Sequence, residues 1–189
     1  MGTFTFPVKG IVGTLLIVSA LVLIGCSTTV MPKDVPLIKG LETGPLAGAS
    51  LGIRNAEMDA KEYAILNGSG QGAGLVMNRQ AWSRKLVESL AGELSRRGAQ
   101  VRVNAAATIG IALPEITYSQ DRGILQLKVK VAVSSSAGWS KTYEVAAEAD
   151  PGPFEGLDAT ANRAASLVLV EAIKAILGDA EFLAQLREK

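Results

Sequence analysis

Apolar and polar residues repeat with two different periods along this chain. Over 78–98 apolar side chains recur every three or four residues, which predicts an amphipathic helix with one buried stripe. Asn78 is a good N-cap for this helix, and Gly98 is a typical terminating residue. A second helix is predicted from Asp158, as its N-cap, to Gly178, and a short third helix follows Asp179.

Strict alternation of apolar and polar residues, the period of a β-strand, follows the first helix. One run, 109–118, contains Pro114, which cannot donate a ladder hydrogen bond and therefore indicates an edge, a bulge or a break. The cleanest strand alternates over 125–133, and a serine-rich turn connects it to a strand over 139–149. A shorter strand is predicted at 50–54.

One face of the predicted hairpin is apolar and must be covered, and the two longer helices have the stripes to cover it. The sequence therefore predicts an α+β fold, with a mainly antiparallel sheet of about four to five strands and two amphipathic helices packed on one face. On the opposite face Lys128 and Lys130 are expected beside Glu144 and Glu148. This pattern is typical of a solvated face with cross-strand charge pairs, and a catalytic Lys–Glu pair is the alternative.

The first 25 residues follow neither period. Lys9 precedes an uncharged, mostly aliphatic run over 10–25. This run is short for a transmembrane helix, which needs roughly 20 apolar residues, and it fits the apolar core of a secretory signal peptide. An uncleaved single-pass anchor is the alternative. Cys26, the only cysteine of the chain, follows directly.

The residues Leu23, Ile24, Gly25 and Cys26 together resemble the lipobox of bacterial lipoproteins. The resemblance implies that a diacylglycerol is attached to the Cys26 thiol, that residues 1–25 are removed and that the new amine is acylated. Several acyl chains would anchor the protein stably in the lipid bilayer. Ser27 follows the cysteine, where an aspartate would favour retention in the inner membrane, so the resemblance implies a lipid anchor in the outer membrane, facing the periplasm.

Three parts of the chain are predicted. They are a signal peptide over 1–25, a lipidated N-terminus and flexible tether rich in proline and glycine over 26–49, and a single α+β periplasmic domain over 50–189. The chain has 19 Lys+Arg and 18 Asp+Glu, and the loss of Lys9 with the signal peptide balances these charges. A balanced charge argues against a nucleic-acid partner.

Candidate chemistry is sparse in this sequence. There is no histidine, and the acidic residues lack metal-ligand spacing. The glycine-rich stretch 68–74 formally fits a dinucleotide-binding fingerprint, but 75–77 separates it from the helix that would have to open on the glycines. A surface loop is predicted there instead. We therefore predict a protein that is not an enzyme, with no catalytic residue, no cofactor and no metal site, and Cys26 as its lipidation site.

Four features together resemble the YajG-like lipoproteins, a family of small Gram-negative lipoproteins. They are the lipobox, the helix whose end lies in 94–101, the meander 109–149 and the closing helix. The family brings no catalytic motif, so only Cys26 is transferred from it. The resemblance implies a small lipoprotein of the Gram-negative envelope.

We expect a non-catalytic interaction or assembly module that binds the bilayer through acylated Cys26. It would contact an envelope protein through a sheet edge or the glycine-rich loop. The alternative is an accessory lipoprotein that binds or handles lipid or lipopolysaccharide in envelope transport. Its pocket would be lined by residues such as Trp82, Val129 and Val168, although core packing explains the same residues.

Overall fold

The structure is a computed structural model that describes residues 28–33, 35–36, 38, 46–67, 72–153 and 155–186. The predicted signal peptide, Cys26 and residues 68–71 of the predicted loop lie outside the described residues. The strands are β1 (Thr28–Thr29), β2 (Ser50–Asn55), β3 (Glu62–Asn67), β4 (Gly72–Asn78), β5 (Gln100–Val101), β6 (Thr108–Asp121), β7 (Ile124–Ser135) and β8 (Ser140–Ala149). The helices are α1 (Arg79–Arg96), α2 (Leu157–Leu177) and α3 (Ala180–Gln185).

The strands form two mixed, open groups that meet at the long strand β6. In the larger group β8 pairs with β7 and β7 with β6, both antiparallel, while β6 pairs in parallel with β2 and β2 with β5. In the smaller group β3 and β4 are antiparallel, and β1 runs parallel to β4. A two-residue parallel pairing of β3 with β6 joins the groups, so β1 and β8 lie at opposite edges of the order β1–β4–β3–β6–β7–β8.

The strand β6 changes neighbours at Pro114. Its pairing with β7 shifts register between Ala112 and Glu115, so the predicted interruption is a bulge. A bulge bends a strand and increases its twist. On its other edge β6 pairs with β2 before the bulge and with β3 after it. One long strand therefore serves both groups.

The hydrophobic core lies between this sheet and the two long helices. The side chains that β7 buries are those of the predicted alternation: Leu125, Leu127, Val129, Val131 and Val133. The helix α1 packs over β2 and β6, and α2 packs over β7 and β8. Trp82 is fully buried in this core. The α+β class and the two amphipathic helices on one face are confirmed.

The sheet differs from the prediction in the number and direction of its strands. It has eight strands in the described part of the chain, and four of its strand pairs are parallel. The hairpin of β3 and β4 was not predicted because β3 lacks clean alternation and β4 begins with glycines, which are depleted in strands. Residues 72–74 of the predicted loop belong to β4.

The helix termini follow the predicted capping residues with one correction. Asn78 caps α1 by accepting a hydrogen bond from the Ala81 backbone N–H at 2.8 Å. Gly178 is the C-cap of α2, as predicted, but α2 begins at Leu157 with Gly156 as its N-cap. Asp158 therefore lies in the first turn rather than at the cap, where its charge still favours the positive end of the helix dipole.

The described residues of 26–49 pack against the domain, whereas a flexible tether was expected there. The strand β1 pairs with β4, and Val30 is fully buried. The indole Nε1–H of Trp82 donates to the Val30 carbonyl at 2.8 Å. Leu46, close to the start of β2, is also buried.

We call the described residues of 28–38 the N-terminal strap. Three backbone N–H groups of the strap donate hydrogen bonds to side chains of the two long helices, α1 and α2. Those bonds run from Met31 to Asn162 Oδ1 (2.7 Å), from Lys33 to Ser166 Oγ (3.0 Å) and from Ile38 to Glu93 Oε1 (3.1 Å). The sequence gave no sign of these three bonds, because backbone donors leave no periodic pattern in the sequence.

Asp179 connects the end of α2 to β8 and confirms its predicted role as a cap of α3. Its Oδ1 accepts the Glu181 backbone N–H at 2.9 Å. Its Oδ2 accepts the Tyr143 hydroxyl at 2.6 Å and lies 2.9 Å from Lys141 Nζ. Burial raises the pKa of Asp179, but the hydrogen bonds from Tyr143 and Lys141 outweigh burial and hold this pKa below its ordinary value of 3.8.

The variant Asp179→Asn keeps a capping oxygen but removes the charge. We expect it to lower the free energy of unfolding at pH 7 by about 1 kcal/mol, because charge-assisted hydrogen bonds become neutral ones. The folded-state pKa is lowered, so the carboxylate stabilises the fold above its unfolded pKa, and this contribution is lost as the pH falls through the folded pKa. Urea unfolding between pH 7 and pH 3 should show the difference shrink.

The exposed Asp121→Asn variant is the control for loss of a carboxylate elsewhere. A destabilisation by Asp179→Asn that is undiminished at low pH would contradict the assigned role of the charge.

Candidate functional site

The residues singled out by the sequence fall into three places. Cys26 lies outside the described residues, so its lipidation stays a prediction. Trp82 and Val168 are fully buried and Val129 is 2% exposed, so all three are part of the packed core. The predicted lysines and glutamates lie on the outer, polar face of β7 and β8.

Lys130 is the centre of this polar face. The strand register places it opposite Glu144 of β8 and Glu115 of β6. Its Nζ lies 2.8 Å from Glu115 Oε2 and 3.6 Å from Glu144 Oε1. The hydrogen bond with Glu115 raises the pKa of Lys130, so its ammonium group is charged at neutral pH. The shared face of Lys130 and Glu144 was predicted, but the closer Glu115 was missed because the bulge at Pro114 sets its register.

An open cavity of about 400 Å³ lies on the same face. It combines charged and apolar lining residues from the three strands. These residues are Glu115, Thr117, Lys128, Val129, Lys130, Glu144, Val145 and Ala146. Lys128 is exposed and makes no ion pair with any described residue. Because Glu144, Val145 and Ala146 belong to β8, the cavity reaches the last strand of the sheet.

β8 is a free edge within the part of the chain that the structure describes. Its ten residues pair with β7 alone, in an unbroken register from Leu125 opposite Ala149 to Ser134 opposite Ser140. At the turn the Ser135 N–H donates to the Trp139 carbonyl at 2.8 Å, so this residue pair is a hydrogen-bonded one.

Hydrogen-bonded and non-hydrogen-bonded pairs alternate along an antiparallel ladder. Counting from Trp139, the odd-numbered residues of β8 therefore bond to β7. The even-numbered residues direct their backbone N–H and C=O groups away from the sheet. We call them the outward residues: Ser140, Thr142, Glu144, Ala146 and Glu148.

The other end of β7 leads to the same assignment. Arg122 and Gly123 have φ values of 47° and 90° and form a two-residue turn, which only a type I′ hairpin accommodates well. Asp121 and Ile124 are then a hydrogen-bonded pair, so the even-numbered residues of β7 bond to β6. The odd-numbered residues of β7 therefore bond to β8, which agrees with the assignment from the serine-rich turn.

Most of the features that keep an edge strand from pairing are missing from β8. Such features include proline, bulges, short length and outward lysines. β8 has ten residues, no proline and no register shift, and its one lysine, Lys141, is bound to Asp179 and Glu181. Glu144 and Glu148 are the only charges among the outward residues. The edge can therefore accept a further strand.

Neither a metal site nor a membrane-spanning helix is found in the described ranges. No group of three or more cysteine, histidine or acidic side chains lies close enough there to hold a metal ion. No helix in those ranges combines the length and the apolar character needed to cross a bilayer.

Comparisons with known proteins identify the fold. No family model matches the chain, and no curated protein matches it. A crystal structure of a Xanthomonas campestris protein of the family DUF330 superposes with a TM-score of 0.55 at 12% identity, covering 84% of this chain and 95% of that one. This likeness shows a shared α+β fold.

A second solved structure is more distant. It is a Caulobacter crescentus protein whose description provisionally calls it a lipoprotein. The TM-score is 0.45 at 15% identity, and the superposition covers 74% of this chain and 93% of that one. Neither structure is described as YajG-like, so that resemblance stays a prediction.

Amide hydrogen exchange tests whether β8 is a free edge. We expect the outward amides of Thr142, Glu144 and Ala146 to exchange faster than those of Tyr143 and Val145, by roughly two orders of magnitude, because only the latter are hydrogen-bonded to β7. NMR-detected exchange on the full chain in detergent micelles measures both sets.

The central strand β7 is the internal control, since neighbours on both sides should protect consecutive amides such as those of Lys128 and Val129. Equal protection of odd and even amides in β8 would show that the edge is covered.

Proposed function

We propose that this protein is a membrane-anchored lipoprotein of the Gram-negative envelope, and that its domain is a non-catalytic interaction module. Acyl chains on Cys26 hold it in the outer membrane, where it faces the periplasm. The lipobox and Ser27 support this location. The observation that carries the proposed function is the free edge of β8, which is the contact surface.

Strand addition is the binding mode that this edge supports. An extended segment of a partner adds to an exposed edge through main-chain hydrogen bonds, and side-chain pockets supply specificity. The outward residues offer those backbone groups, and the cavity beside Val145 and Ala146 offers a place for partner side chains. Tyr143 and Lys141 fix one end of β8 to Asp179, so the edge is already in its binding conformation.

The lipid anchor and the contact surface lie at opposite edges of the sheet. Cys26 is two residues before Thr28, so their Cα atoms are within about 7 Å of each other. Counted along the sheet, five strand spacings, or about 24 Å, separate β1 from β8. This separation along the sheet supports access of a periplasmic protein to β8.

The alternative function, lipid handling, requires a cavity that admits an acyl chain. The Trp82 and Val168 side chains, expected to line it, are buried in the core, and Val129, which is 2% exposed, borders only the open cavity on the polar face. The described residues therefore favour the contact surface at β8.

Intact mass tests the anchor. We expect wild-type protein extracted from membranes to begin at residue 26 and to be heavier than that polypeptide by the mass of its acyl chains. The Cys26→Ala variant should keep residues 1–25 and carry no lipid, because it has no thiol to modify. A wild-type chain that is unmodified and still carries residues 1–25 would be an ordinary membrane-anchored protein, contrary to the proposal.

A proline in β8 tests the contact surface. Ala146→Pro removes an outward N–H that β7 does not use, and its ring obstructs an incoming strand. We expect this variant to lose the specific protein cross-links formed in intact cells by a photoreactive residue at position 142. Ala146→Val, which keeps the N–H group, should retain them.

Both variants must show the thermal unfolding of the wild type. Cross-links that persist in Ala146→Pro would exclude β8 as the contact surface, and cross-links to lipid alone would favour the lipid-handling alternative.

A further inference from the structure

We propose that the segment added to β8 is an extended stretch of a partner protein that carries lysine or arginine at alternate positions. This inference rests on the proposed function and names the chemistry of the partner. It follows from the charges on the outward residues, from the apolar character of the opposite face of β8 and from the position of the lipid anchor.

The outward residues include two acidic side chains and no basic one. The Glu144 side chain is 75% exposed, and Lys130, its nearest cation, lies closer to Glu115. Glu148 accepts a hydrogen bond from the neutral Gln126 amide at 2.8 Å and makes no ion pair with the described residues. Both carboxylates are therefore available to a cation that arrives from beyond the edge.

The spacing of these carboxylates matches a strand. Glu144 and Glu148 lie on the same face of β8, four residues or about 13 Å apart. The partner residues that face them are also separated by an even number of positions. Opposite charges across neighbouring strands are stabilising and like charges are destabilising. An extended segment with basic residues at alternate positions satisfies both carboxylates together.

The inner side of β8 determines the residues between those basic ones. Val145 and Ala147 are partly exposed and pack against the hydrophobic core. Partner side chains that point to this side would extend the apolar face of the sheet. The expected segment therefore alternates basic and apolar residues.

Two other occupants fit the edge less well. A second copy of this chain would bring two carboxylates from each protomer to one junction, because the same surface meets itself in a twofold interface. The proposed anchor would attach the bilayer beside β1, at the other end of the strand order from β8. A basic segment of another protein is favoured over both.

Two synthetic peptides test the inference. One alternates lysine and valine, and the other alternates glutamate and valine. We expect the lysine peptide to bind the full acylated protein in detergent micelles about tenfold more tightly than the glutamate peptide. Its two charge pairs with Glu144 and Glu148 are attractive, whereas those of the glutamate peptide are repulsive. Binding should weaken as salt is added, and the amides of Thr142, Glu144 and Ala146 should become protected from hydrogen exchange.

Charge reversal provides the matched controls. Glu144→Lys combined with Glu148→Lys should reverse the preference between the peptides. Glu62→Lys combined with Glu88→Lys changes the net charge equally at exposed sites outside β8, and should leave the preference unchanged.

Three results would overturn the inference. They are equal binding of the two peptides, protection that appears outside β8, and outward amides that are protected without peptide in a dimer. The first two would contradict the basic segment but not the contact surface at β8, which the cross-linking of Ala146→Pro tests separately. The third would identify a second copy as the occupant.

Discussion

The antiparallel ladder between β6 and β7 is the interaction on which the rest of this structure depends. It places the five apolar side chains of β7 on one face, and α1 and α2 cover that face. The other edge of β6 is shared by β2 and β3, since the bulge at Pro114 redirects the strand between them. The polar face, the free edge of β8 and the smaller group of strands are all positioned through this ladder.

Much of this architecture could be predicted because it depends on local signals. The N-cap Asn78, the terminating glycine Gly98, the alternation in β7 and the shared face of Lys130 and Glu144 each follow from short-range patterns. Lys141 is a charged residue on the otherwise apolar side of β8, and the structure explains it through Asp179, which is distant in sequence.

The remaining features depend on contacts that the sequence does not encode as a pattern. The parallel pairings of β2 and β3 with β6 are set by tertiary packing. The N-terminal strap is held by the buried Val30 side chain and through backbone groups, such as the Val30 carbonyl that accepts from Trp82. The outward residues of β8 could be assigned only after both turns of β7 were known. A one-residue slip in the pairing would direct the other set of backbone groups away from the sheet. A prediction of α+β class was therefore possible, whereas the location of the free edge was not.

The N-terminal strap has a mechanical consequence. With the proposed anchor at Cys26, any force between the membrane and the domain must pass through the strap before it reaches the core. The pairing of β1 and the bond from Trp82 would be loaded first, followed by the bonds at Met31, Lys33 and Ile38. Their successive release would lengthen the connection to at most about 36 Å, at about 3.3 Å per residue over 28–38, while β2 to β8 and the helices stay folded. With that anchor, the same segment would hold the domain close to the membrane at rest and would lengthen under tension.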